Sequence, residues 1–143
     1  MHVTHSVLLP QAAESIFDLI ADVRAYPQFV PGCERILVSQ ELGSQYLTEM
    51  RIGMRGLAFD LTALTRLKRP ELITVSQQSG PFQSFELAWR FKPLARDACK
   101  VDFELQCEFS PLLERTIGSR IVERRSRDVI DAFVARAEQM ATS

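Results

Sequence analysis

Histidine is scarce in this chain, with only His2 and His5, and the three cysteines, Cys33, Cys99 and Cys107, form no C-x-x-C pair. These shortages exclude the common zinc-binding patterns, and the odd thiol count argues for reduced cysteines in a cytoplasmic-type compartment. No stretch approaches the ~18 apolar residues of a membrane span, and the N-terminus lacks the basic-then-apolar order of an export signal. Nor does either sign of charge dominate. The formal charge is -1 and the pI about 6.1, which removes the global electrostatic case for DNA. Nucleophile motifs and phosphate-cradling glycine loops are missing as well, so the expectation is a protein without catalytic turnover, metal or cofactor.

What remains is a chain of 143 residues, 46% hydrophobic and 24% charged, consistent with one folded, soluble domain over 1–143. Val3, His5, Val7 and Leu9 alternate as a strand, and after Pro10 the spacing of Ala12, Ile16, Phe17, Leu19, Ile20 and Val23 is helical. Tyr26-Pro27-Gln28-Phe29-Val30-Pro31-Gly32 breaks that helix, because proline disfavours helical geometry in the residue before it. From Cys33 to Phe109 the period is two. Turn signals at Gly43-Ser44, Gly53 to Gly56, Arg69-Pro70, Ser79-Gly80-Pro81 and Ala95 to Asp97 divide it into six antiparallel strands. Ser110-Pro111 reads as a helix cap and first residue, followed by apolar positions at helical spacing to Met140, a single helix of roughly 28 residues.

The expected class is α+β: a curved antiparallel sheet of about seven strands around a long C-terminal helix, in the helix-grip arrangement, with an internal cavity. Aromatic residues concentrate on the predicted inner face, namely Phe59, Phe82 or Phe85, Trp89, Phe91, Phe103 and Phe109. An ordinary filled core would use them equally well. In the last helix the apolar stripe is interrupted between Glu123 and Asp128, which places Ser126, and with it Arg125, as candidates for the mouth of the cavity. A solvated helix face is the alternative for the same stretch, with pairs such as Arg124 and Asp128. Glu49 and Arg51 share a strand face and read as a solvated pair on an edge strand, and His5 reads as structural.

Four motifs stand in order: Tyr26-Pro27-Gln28-Phe29-Val30-Pro31-Gly32-Cys33, Gly80-Pro81-Phe82, Trp89-Arg90-Phe91-Lys92-Pro93-Leu94 and Cys99-Lys100-Val101-Asp102-Phe103. Together they resemble the coenzyme-Q-binding START-domain family, from about Val3 to Ala137, whose bacterial branch includes ribosome-association toxins and whose members often carry a polyketide cyclase-dehydrase label. The resemblance implies a helix-grip domain that carries ubiquinone or a related isoprenoid lipid in respiration or quinone synthesis. It carries over the motif positions Tyr26, Pro27, Phe29, Pro31, Cys33, Gly80, Pro81, Phe82, Trp89, Phe91 and Pro93; taken with the predicted inner faces, the cavity positions expected are Tyr26, Phe29, Val30, Phe59, Phe82, Trp89, Phe91, Phe103, Ser126 and Ile130. Relatives commonly carry glycine before the motif tryptophan. Here Ala88 stands in its place, which would remove a bulge or close approach and alter the cavity.

Arginine outnumbers lysine 14 to 3, and Arg115, Arg120, Arg124, Arg125 and Arg127 cluster against the single acid Glu123. This basic surface suits planar phosphate contacts. Its partner would be the large ribosomal subunit, with an effect on translation initiation, or an anionic membrane surface that a quinone carrier approaches from the cytoplasm to load. A cyclase-type enzyme is the least supported reading.

Overall fold

A computed structural model describes residues 1–142 and arranges them as a seven-stranded antiparallel sheet of order β1-β7-β6-β5-β4-β3-β2. The strands are β1 (His2–Leu9), β2 (Cys33–Leu42), β3 (Gln45–Met54), β4 (Leu57–Lys68), β5 (Leu72–Ser79), β6 (Phe82–Ala95) and β7 (Ala98–Phe109). Between β1 and β2 lie helix α1 (Ala13–Ala21) and a 3-10 segment, Val23–Gln28, whose Pro27 keeps α1 from continuing. The chain ends in α2 (Pro111–Thr116) and α3 (Gly118–Thr142). Each of the five turn signals spans a connection between consecutive strands, three of them beginning in the last residues of a strand. This is the helix-grip arrangement that the order of elements predicted.

Two expectations about elements need correction. The C-terminal helix is not continuous. Gly118 adopts φ +79, so the helical ladder stops at Thr116 and restarts at Gly118. The Ser110 hydroxyl accepts from the Leu113 amide at 3.3 Å, as its cap position predicted. Ala88 produces no distortion: pairing runs without a shift from Leu72↔Arg90 to Ser76↔Glu86, and from Ser84↔Glu108 to Pro93↔Cys99. It faces outward between Leu87 and Trp89, and β6 carries no bulge there, as expected for alanine in the place of glycine. Finally, β3 is internal to the sheet, between β2 and β4. Glu49 is exposed there, while Arg51 pairs with Glu34 at 3.6 Å and Asp60 at 3.2 Å on the outer face.

The concave face is filled unevenly. At one end α1 seats Ile16, Phe17 and Ile20 against the sheet, and the Phe17 ring meets Phe91 edge-on at 5.3 Å. Each such buried side chain contributes roughly 1.5–3 kcal/mol of transfer free energy. Toward the other end, beneath α2 and the first half of α3, the apolar faces of sheet and helix diverge. There the core gives way to a void.

Candidate functional site

The void has a volume of about 200 Å³. Its floor follows from period two. Tyr46, Thr48, Met50, Ile52 and Met54 alternate along β3, with Phe59, Leu61 and Thr65 beside them on β4. Leu87 and Trp89 of β6 with Phe103 and Leu105 of β7 continue the surface. Phe82 and Phe85 both line it, although three residues apart, because a register irregularity between Phe82 and Ser84 admits one extra residue and re-aims Phe82 inward. The roof is the α3 stripe Val122, Arg125, Ser126, Val129 and Phe133, joined by Leu113 and Ile117. Tyr26, Val30, Pro31 and Cys33 close the side.

Phe133 organises this wall. Its ring meets Tyr26 at 5.3 Å, Phe29 at 5.3 Å and Trp89 at 5.4 Å, each near edge-to-face, the geometry aromatic quadrupoles favour. Trp89 in turn lies 4.9 Å from Phe103.

Of the residues expected at the cavity, Tyr26, Val30, Phe59, Phe82, Trp89, Phe103 and Ser126 line it. Phe29, Phe91 and Ile130 do not. Phe29 stands behind Phe133 on the outer side, with the Arg136 guanidinium 5.0 Å from its ring centre. Phe91 lies one strand position beyond the void, where α1 covers the sheet. Ile130 is buried in the core, rotated off the stripe of Ser126, Val129 and Phe133. His5 packs 5.9 Å from the Phe103 ring, its Nε2 buried without a hydrogen-bond partner, and does not reach the cavity.

Period-two and helical reasoning passed over the β3 face and Phe133. The signal for both was present: Tyr46 to Met54 alternate, and Val122, Val129 and Phe133 share a helical face with Ser126.

The polar groups in the wall are almost all satisfied by backbone carbonyls. The Tyr46 hydroxyl donates to Ala21 O at 2.9 Å, Ser126 to Val122 O at 2.9 Å, and Thr48 to Ala63 O at 3.4 Å; Tyr26 donates to Ile20 O. Burial pushes Tyr26 well above the usual tyrosine range and Tyr46 up to about 12, the latter against a hydrogen bond from Thr65. It likewise raises the Cys33 thiol to about 11. None of these groups ionises near neutral pH. No aspartate, glutamate or histidine lines the void.

The titrations have a consequence for stability. An unfolded thiol or phenol ionises near its ordinary value, whereas the folded groups hold their protons longer, so the folded state binds more protons between the two values. The contribution of these groups should therefore be constant below pH 9 and fall as pH rises from 9 through about 12, with Cys33, and with it the buried thiols of Cys99 and Cys107, in the first part of the decline. Urea titrations at pH 8, 9.5 and 10.5 measure it. Cys33→Ser should flatten the first part of the decline, and an unchanged profile would reject the assignment. The native Cys33 thiol should also react slowly with alkylating reagents at pH 8.

Arg125, expected both in the basic surface and at the mouth, belongs to the mouth. It is half-buried against the cavity, and its Nη1 donates to Gly53 O at 3.2 Å. Arg115, Arg120, Arg124 and Arg127 are exposed, and among the described residues none of them forms an ion pair; the expected Arg124–Asp128 pair does not form. By contrast, of the cations Arg51, Arg55, Arg66, Lys68 and Arg69, three are paired: Arg51 with Glu34 and Asp60, Lys68 with Glu71 and Arg69 with Asp18. Among the described residues no three His, Cys, Asp or Glu side chains cluster to hold a metal, and no helix is long and apolar enough to cross a membrane.

Comparison with known proteins matches residues 9–134 to the family model described as polyketide cyclase / dehydrase and lipid transport. The ribosome association toxin RatA of Pseudomonas aeruginosa is 32% identical over 140 residues, spanning 97% of this chain and 96% of that protein. The mitochondrial coenzyme Q-binding protein coq10 of Schizosaccharomyces pombe is 23% identical over 138 residues, spanning 93% and 84%. Among solved structures, the Zhui aromatase/cyclase of Streptomyces sp. R1128 superposes with a TM-score of 0.87 at 20% identity, covering 99% of this chain and 95% of that one.

Proposed function

Because the chain belongs to the polyketide cyclase / dehydrase and lipid transport family, we propose that it is a non-catalytic carrier for one elongated apolar molecule, ubiquinone or a related isoprenoid lipid. The observation that carries this reading is the wall of the cavity. It is apolar apart from Arg125 at the mouth, and its hydroxyl groups at Tyr46, Thr48 and Ser126 are spent on backbone carbonyls. Acid–base catalysis needs a group that titrates near the working pH, and the wall supplies none. The printed name of the coq10 relative supports a quinone as the occupant. About 200 Å³ is small beside the ~300–1,000 Å³ of most ligand pockets, so the cavity encloses part of such a molecule while the remainder lies beyond the mouth. Such a carrier would load from the cytoplasmic face of the inner membrane.

Trp89 is the single tryptophan and stands in the wall, so it reports occupancy. Short-chain ubiquinone should quench its fluorescence saturably, and solvent extraction of freshly purified protein should release a lipid seen by mass spectrometry. An unchanged signal at saturating quinone, with nothing extracted, would reject the carrier reading.

A second reading rests on a different observation, the four exposed and unpaired arginines of α2 and α3, together with the RatA relative. In it the chain binds the large ribosomal subunit and interferes with translation initiation. Co-sedimentation with large subunits should then weaken with salt, and replacing Arg115, Arg120, Arg124 and Arg127 by glutamine should lower the log–log salt slope by about three. Anionic vesicles in place of ribosomes test whether the same patch meets a membrane.

A further inference from the structure

We propose that Arg125 makes the mouth of the cavity a site for an anionic head group, so that the preferred occupants are amphiphiles ending in one carboxylate or phosphate. This deepens the apolar-carrier reading and rests on it.

Three observations converge on Arg125. The first is its isolation. A guanidinium is charged at every relevant pH, and charge held against apolar walls is ordinarily met by a counter-charge. Among the described residues Arg125 has no ion-pair partner. Glu34, whose carboxylate lies against Gly53, is paired with Arg51 at 3.6 Å and not with Arg125.

The second is spare capacity. Of the five N–H donors of the guanidinium, one is spent on Gly53 O at 3.2 Å. Tyr26, Tyr46, Thr48 and Ser126 already donate to backbone carbonyls, so the charged donors left over at this void are those of Arg125.

The third is a seat in the backbone. Gly53 N donates to Gly32 O at 2.8 Å, tying the end of β3 to the segment before β2, and Arg125 lies across that tie. Gly32 has φ +83, and a Cβ there would stand 2.0 Å from Arg125 Nη1. Only glycine leaves the guanidinium this position. The Pro31-Gly32 turn thereby holds Arg125 at the rim, with one edge bonded to protein and the rest available to oxygen atoms of a ligand. A carboxylate or phosphate suits that fork best, by paired charge-assisted hydrogen bonds.

The test compares ligands of one chain length with different heads. Laurate, lauryl phosphate and lauryl alcohol, each below its micellar concentration, are titrated calorimetrically into wild type, Arg125→Gln and Arg125→Met. Wild type should bind one of the anions about 10- to 100-fold more tightly than the alcohol, and which anion is tighter identifies the head group. In both variants that preference should shrink to about twofold while the affinity for the alcohol is kept, which also shows that the cavity remains intact. Equal binding of anion and alcohol by wild type, or a preference that survives in the variants, would overturn the anionic site and leave the carrier reading standing. If neither the lauryl ligands nor short-chain ubiquinone binds, the carrier reading fails and the head-group site with it.

Discussion

Phe133→Ala should destabilise the fold by about 3–5 kcal/mol, the usual cost of truncating a buried phenylalanine whose surroundings cannot collapse. Phe133 is buried, and its ring is the common partner of Tyr26, Phe29 and Trp89. Those three residues come from the 3-10 segment, the loop after it and β6, so removing the ring detaches α3 from two separate parts of the chain. The void already beside it would enlarge, because Val129 and Trp89 border it on the cavity side. Urea denaturation should show a lower midpoint with an unchanged slope. Leu8, 71% exposed on the outer face of β1, is the control. Leu8→Ala should stay within about 0.5 kcal/mol of wild type. A Phe133→Ala loss as small as that would mean the aromatic cluster does not hold the helix.

Ser126→Leu should have the opposite sign on stability and a large effect on binding. Ser126 is 6% exposed, lines the void and bonds back to Val122 O. A back-bonded serine is neutral or slightly unfavourable in a helix interior, whereas leucine is a strong helix former and would project its extra carbons into empty space. Cavity filling of this kind commonly adds about 0.5–2 kcal/mol. The same carbons would occupy the space a ligand needs, so quinone affinity measured through Trp89 should fall at least about tenfold. A stabilised variant that binds as tightly as wild type would place the ligand elsewhere. A destabilised variant would mean that the roof above the void is already packed.

Much of the architecture was legible in the chain because it depends on local pattern. Alternation from Cys33 to Phe109 and five turn signals specify antiparallel neighbours, since a one-residue slip would turn each apolar face to water. The family resemblance rests on motifs whose physical role is now visible: Tyr26, Val30, Pro31 and Cys33 close one side of the void, and Gly32 makes room for Arg125. Helix periodicity carried less. It marks Gly118 as one residue in an otherwise regular pattern, and a single glycine does not reveal whether its φ is positive.

By itself, then, the sequence determined the order of elements, the inward face of each strand and the apolar character of what lies between sheet and helix. Those follow from periods of two and 3.6 residues, which each segment carries within itself. Tertiary structure alone decided which inward residues are packed and which border space. Phe91 and Trp89 share one strand face, yet α1 covers the first and leaves the second open. Likewise Arg124 and Arg125 are neighbours in an arginine-rich run, and the rotation of α3 about its own axis sends one to solvent and the other to the rim. That rotation is fixed where Phe133 seats among three rings, contacts between segments far apart in the chain.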